Sequence, residues 1–214
     1  MRKVIFSILF FVPFCLMAQD SIEYTPHFIF QEGIYLNYRQ FRSNKPILKE
    51  NIISKADKSD FGFIQNCMDE KTLVFQDSLA KIHTVNTDSI WGFCQDNTVY
   101  ILFMHHFYRL PVMGTLCRFV ANVKEYQDSP MMGFYDPISG MFDQRQQIEV
   151  NVMRTFILDV PHNRIYDFTE ENVEMLIQPD KELYTEFMNL KRREKKSSYI
   201  IYLQKYNERH PLYF

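Results

Sequence analysis

From Phe61 to Val123 apolar residues come in short runs parted by turn formers, a rhythm that predicts strands. GFIQNC (Gly62–Cys67), the polar step Met68-Asp69-Glu70-Lys71 and TLVFQ (Thr72–Gln76) read as one hairpin. IWGFC (Ile90–Cys94), Gln95-Asp96-Asn97 and TVYILFM (Thr98–Met104) read as a second, with Asp96-Asn97 supplying the turn conformation. HHFYRLPV (His105–Val112) and GTLCRFVANV (Gly114–Val123) predict further strands, and Pro111 limits pairing at its edge. In the latter, Thr115, Cys117, Phe119 and Ala121 share one face. QIEVNVMRTFILDV (Gln147–Val160) and NRIYDFT (Asn163–Thr169) predict another hairpin across Pro161-His162-Asn163. Turns recurring at roughly 8–12 residues indicate an antiparallel sheet and not βαβ units.

The period changes at both ends of this stretch. In EGIYLNYRQFRSNKPIL (Glu32–Leu48), Gly33 permits a backbone excursion before the short strand Ile34-Tyr35-Leu36. Asn37 with Gln40 three residues on has the form of a capping box, Tyr38 and Phe41 share the inner face of a short helix, and Pro46 stops it at Lys45. The stretch reads as a folding corner, with a binding site as the alternative. Beyond Phe168 the pattern is helical. Thr169 caps EENVEMLI, and Asp180 caps KELYTEFMNLKRREKK, where Leu183, Phe187 and Leu190 recur at helical spacing. SSYIIYLQKYNERHPLYF (Ser197–Phe214) presents Ile200, Leu203 and Tyr206 before His210-Pro211 ends it. The expected fold class is α+β: mainly antiparallel sheet built from hairpins, a short N-terminal helix and C-terminal helices.

The first residues set the location. Met1-Arg2-Lys3, the apolar run from Val4 to Ala18 and the polar Gln19-Asp20 describe a secretory signal peptide, cleaved after Ala18 or Gln19. The run is shorter than the ~20 apolar residues that span a bilayer comfortably. Cys15 invites a lipoprotein reading, but bulky Phe14 precedes it where a small residue is needed. The expected organisation is a signal peptide over 1–19 and a single α+β domain over 20–214, β-rich over 20–168 and helical over 169–214. The product is then exported, periplasmic or extracellular, with no later membrane span.

Composition supports a sizeable core, with 46% hydrophobic and 16% aromatic residues. Losing Arg2 and Lys3 with the leader takes the formal charge from −2 to about −4, which gives no pull towards nucleic acid. Cys67, Cys94 and Cys117 then remain, an odd number for an exported protein, and one bridge has three pairings open to it. Cys117 reads as a small buried hydrophobe, with a bridge or a nucleophile as alternatives.

GIYLNYRQFRSNKP, IWGFCQDNTVYI and the terminal DKELYTEFMNL…IIYLQKYNERHPLY resemble an uncharacterised family of secreted proteins from Bacteroides-type bacteria. Its members are similar in an early glycine–strand–helix segment, a Trp/Tyr-Gly strand before an acidic turn and a helical end closing on tyrosine, asparagine and proline. The resemblance implies location and fold; it transfers no activity, cofactor or catalytic residue.

The sequence names no catalytic, cofactor-binding or metal-ligating residue. The phosphate-loop, zinc-protease, nucleophile-elbow and dinucleotide glycine motifs do not occur. His105-His106 are adjacent on an expected strand, so one should be buried and one exposed. A Cys94 or Cys117 thiol activated by either histidine is the enzyme alternative. The segment Asp128–Arg145, with Asp136-Pro137-Ile138-Ser139-Gly140 inside it, reads as a contact loop, or as one packed down by Met131, Phe134 and Met141. Lys191–Lys196 reads as a solvated helix face, or as a contact for anionic polysaccharide, lipid headgroups or an acidic protein. These features favour an exported, non-catalytic protein that binds an envelope protein or polysaccharide. A hydrolase with a dispersed active site and a self-associating structural protein are the alternatives.

Overall fold

Each of the two larger sheets buries side chains on both faces, so successive strand residues enter different cores. The computed structural model describes residues 21–128 and 147–214. Strands β1 (Gly33–Tyr35), β4 (Gly92–Gln95), β5 (Thr98–Phe103) and β6 (His106–Arg109) form one antiparallel sheet in the order β1-β4-β5-β6. Strands β7 (Leu116–Asp128), β8 (Gln147–Asp159) and β9 (Arg164–Asp167) form a second in chain order, and β2 (Thr72–Gln76) pairs with β3 (Ile82–Asn86) as a separate hairpin. Helices α1 (Tyr38–Arg42) and α2 (Phe63–Met68) belong to the first half of the chain, and α3 (Glu170–Ile177), α4 (Lys181–Met188) and α5 (Arg192–Arg209) close it. The chain is α+β with antiparallel sheets and C-terminal helices.

Three cores follow from the two-residue period of the strands. Between the two sheets, Tyr35, Cys94, Val99 and Ile101 meet Cys117, Phe119, Phe156 and Leu158. On the outer face of the first sheet, Ile34 and Phe93 pack against Phe63, Ile64 and Cys67 of α2 and Leu73 and Phe75 of β2. On the outer face of the second, Leu116 and Ile157 meet Val173, Phe187 and Leu203 of the three helices. Ile34/Tyr35, Phe93/Cys94 and Leu116/Cys117 are neighbours in sequence that serve opposite cores. At the chain end Ile22 and Phe214 exchange two backbone hydrogen bonds of 2.8 Å each, and Phe28 stacks on Phe214.

The corner forms as a corner. Asn37 caps α1 through Gln40 N at 3.0 Å, while the Gln40 amide oxygen accepts from Leu36 N at 2.6 Å. The reciprocal bond thus lands one residue before the cap. The helix closes at Arg42, three residues before Lys45, as Asn44 takes a left-handed turn and the chain returns to pair Ile47 with Ile34. Phe41 is buried and stacks on Trp91 at 4.1 Å, whereas Tyr38 is half-buried and donates its hydroxyl to Val160 O and Pro161 O. Trp91 Nε1 reaches Asn163 Oδ1 at 2.8 Å, so the corner grips the β8–β9 turn.

Several expected elements differ. GFIQNC is helix and not strand: Phe63/Cys67 and Ile64/Met68, each four apart, put their side chains into one core. TLVFQ instead pairs with Ile82–Asn86, across a turn whose Asp77 carboxylate accepts from Leu79 N and Lys81 N. The expected single helix from Lys181 through Lys196 breaks at Asn189–Lys191, and α5 runs on through Ser197 to Arg209. Tyr202, Leu203 and Tyr206 of α5 are buried, while Ile200 is exposed. The hairpins Gly92–Phe103 and Gln147–Asp167 and the caps Thr169 and Asp180 form as expected. The expected leader and the expected contact loop from residue 129 to Arg145 lie outside the described residues.

Asp180 does more than cap α4. Its carboxylate accepts from Leu183 N at 3.0 Å, from Arg209 at 3.1 Å and pairs with His210 at 3.1 Å. The Leu183 hydrogen bond first, then His210 and Arg209, hold its pKa below the ordinary carboxylate value. A depressed carboxylate contributes stability that is present above its unfolded pKa, about 3.9, and lost as pH falls through the folded one. Asp180→Asn, which retains the amide-oxygen cap, should therefore be less stable than the parent at pH 7. That difference should close progressively below about pH 4 in urea unfolding series.

Candidate functional site

The α2–β2 connection, the end of β3 and the β5–β6 turn surround a cleft of about 490 Å³ over the outer face of the first sheet. Its floor is aromatic because strand register brings rings together. Phe93 lies opposite Tyr100 and stacks on it at 4.6 Å with an 8° interplanar angle, and Phe107 meets Phe93 edge-on at 5.3 Å. Phe93 is buried, while Tyr100 and Phe107 are half-buried and face the cleft.

The rim is polar and is fixed by one buried residue. Thr87 donates its hydroxyl to Glu70 O at 2.6 Å and its N–H to Lys71 O at 3.2 Å, tying the β3 end to the α2–β2 connection. Asn86 Oδ1 accepts from Asp88 N at 2.9 Å, which leaves its amide N–H groups for other partners. Gln65, Asp69, Glu70 and Lys71 also border the cleft, and their side chains make no hydrogen bond or ion pair among the described residues. His105 and His106 complete the far side, with His105 Nδ1 3.9 Å from Asp88 Oδ2.

Both histidines are exposed, which corrects the expected one-in, one-out pair. Met104 and His105 have φ of 48° and 64°, so they form the tight turn and strand alternation starts only at His106. The thiol alternative does not assemble either. Cys94 and Cys117 lie between the two sheets, on the other side of β4 and β5 from the cleft, and Cys67 is on α2 in the core over the outer face of the first sheet. All three are free and buried, and burial pushes Cys94 and Cys117 up to about 12. Desolvation also raises Cys67. A thiolate nucleophile needs the opposite shift. All three cysteines should resist maleimide under native conditions and label after denaturation, read by mass spectrometry. Prompt native labelling of Cys117 would contradict this packing.

Carboxylates orient His83 (Nε2 to Asp77 Oδ2, 2.7 Å), His210 (Nε2 to Asp180 Oδ2, 3.1 Å) and His162, whose Nδ1 is 2.8 Å from Asp159 Oδ2 beside a cleft of about 240 Å³. Among the described residues no hydroxyl or thiol hydrogen-bonds to His162, and Thr115 there donates to His210 O. The pair closes the β8–β9 turn, where Asp159 also accepts from His162 N. Among the described residues no three histidine, cysteine or carboxylate side chains converge as a metal site, and no helix is long and apolar enough to cross a membrane.

The Lys191–Lys196 run is a solvated face except at Lys195. That side chain is buried, with its ammonium 5.1 Å from the Phe187 ring centroid and 3.8 Å from Glu170 Oε1. The sequence pattern puts Asp69, Glu70 and Lys71 in a hairpin turn and Tyr100 and Phe107 in strands, and no local spacing joins them. The one available signal was Tyr100 and Phe107, two aromatics in adjacent strands of one hairpin. Compared with known proteins, the chain matches no family model, no curated protein and no solved structure.

Proposed function

We propose that this is an exported, non-catalytic protein of a bacterial envelope, periplasmic or extracellular, that binds another envelope component through the aromatic-floored cleft. The observation that carries the reading is the cleft itself: half-buried rings bordered by Gln65, Asp69, Glu70 and Lys71, whose side chains have no partners among the described residues. Concave sites with an apolar floor and a few convergent polar groups are the usual form of a ligand site. The separation of the thiols from His105 and His106 supports binding over hydrolysis. The basic start and apolar run at Met1–Ala18 support export, and so does the resemblance to secreted proteins of Bacteroides-type bacteria. A photo-crosslinking residue at His106, compared with one at Ile200 on α5, tests the reading in native envelopes. A discrete adduct from position 106 alone is expected. Equal or absent adducts, or turnover of ester, amide or glycoside substrates by the purified protein, would overturn it.

One feature favours self-association as a second reading. Beyond β9, the outer edge of β8 from Gln147 to Met153 has no strand partner among the described residues, and Ile148 and Met153 are exposed there. Open edges of this kind accept strands from other chains. Val150→Lys should leave sedimentation unchanged if the protein works as a monomer, and should dissociate it if the edge joins copies.

A further inference from the structure

We propose that the cleft is a carbohydrate site, taking a pyranose that is uncharged or amino-substituted; this rests on the reading of the cleft as the binding surface. A pyranose has an apolar C–H face and a girdle of hydroxyls, each both donor and acceptor. The cleft matches both aspects. Tyr100 is held flat by its stack on Phe93, and Phe107 meets Phe93 edge-on, so the floor offers ring surface to a C–H face. Around it, Asp69, Glu70 and Asp88 accept, Lys71 donates, and the Gln65 and Asn86 amides add donors.

Charge narrows the ligand. Three carboxylates face one lysine, with two histidines at the far side, so a phosphate, sulfate or carboxylate ligand meets repulsion at the mouth. An ammonium on the sugar meets the reverse. A purely apolar ligand would strip water from the rim groups without replacing their hydrogen bonds, which is costly. The space, about 490 Å³, falls within the ~300–1,000 Å³ of small-ligand sites. Thr87, whose hydroxyl donates to Glu70 O and whose N–H donates to Lys71 O, holds two rim segments in register before any ligand arrives.

The test is saturation-transfer NMR and calorimetry on the purified protein with methyl glucopyranoside, glucosamine and glucuronate as probes. Saturable binding of the first two is expected, with transfer strongest to ring C–H protons and with glucuronate weakest. Tyr100→Leu, which keeps apolar bulk and removes the flat ring, should weaken both about three- to tenfold. Asp69→Asn and Glu70→Gln, at exposed positions, should weaken glucosamine more than methyl glucopyranoside. If Tyr100→Leu fails to fold by circular dichroism, these two variants decide. Absence of saturable pyranose binding, or binding indifferent to all three variants, overturns the proposal. If the crosslink at position 106 persists in that case, the ligand class is wrong and the binding reading stands; if it too is absent, both fall.

Discussion

Replacing Asn207 by alanine is expected to destabilise the protein by about 2–6 kcal/mol, because two backbone groups lose their partners together. Leu116 opens β7, and its N–H and C=O point away from β8 towards α5. There the Asn207 amide serves both, accepting from Leu116 N at 2.7 Å and donating to Leu116 O at 2.9 Å. The amide substitutes for a neighbouring strand and docks the last helix on the second sheet in one contact. Leu116 is 4% exposed, so water has poor access to the vacated groups. Gly114 belongs to the same contact: a Cβ there would lie 2.6 Å from Asn207 Nδ2. Gly114→Ala should therefore destabilise the parent yet cost much less in the Asn207→Ala background. Denaturant unfolding of the four proteins measures that coupling. Additive losses, or an unchanged midpoint for Asn207→Ala, would mean that the amide is not the strand substitute described here.

Gly33→Ala should be of similar size, roughly 2–6 kcal/mol, from backbone strain and overpacking combined. Gly33 has φ of +146°, where side chains are strained, and a Cβ would lie 2.2 Å from Ile47 O. That carbonyl cannot retreat cheaply, because it accepts from Ile34 N at 2.9 Å in the pairing that closes the corner. Gly33→Val should be worse again. Asn37→Ala, which removes only the cap of α1, should cost about 0.5–2 kcal/mol. None of these changes should remove cleft binding once the loss of stability is allowed for. A Gly33→Ala protein with parental stability in urea would show that the corner adapts where the geometry says it cannot.

The contrast between Asn37 and Asn207 shows where a sequence is legible. Asn37 acts three residues away, so its role is written in local spacing, as are those of Thr169 and Asp180. Asn207 acts across 91 residues, and nothing in YNERH marks it out. The same divide runs through the candidate site. Asp96-Asn97 announces its turn because both residues must adopt positive φ, and the structure gives them 50° and 51°. Met104-His105 adopts a similar turn without the usual residues, so the local pattern there reads as strand.

By itself the sequence determined the α+β class, the two hairpins with local turns and the helix starts at Asn37, Thr169 and Asp180, since each rests on contacts a few residues long. Neighbouring strand residues are apolar in pairs along the chain, as Phe93-Cys94 and Leu116-Cys117 are. Only the tertiary structure decided what those pairs meant: both faces of each larger sheet are covered, and adjacent residues feed separate cores. It decided that GFIQNC is helix, because six residues satisfy either period until Phe93 and Leu73 offer a surface that takes Phe63, Ile64 and Cys67 together. It placed the cleft as well, since Gln65, Asp88 and Phe107 lie on three separate elements and meet only when α2 and β3 dock over the sheet. Local rules fix elements because their energies are settled within a turn or two of chain, whereas a site made by packing exists only once the packing does.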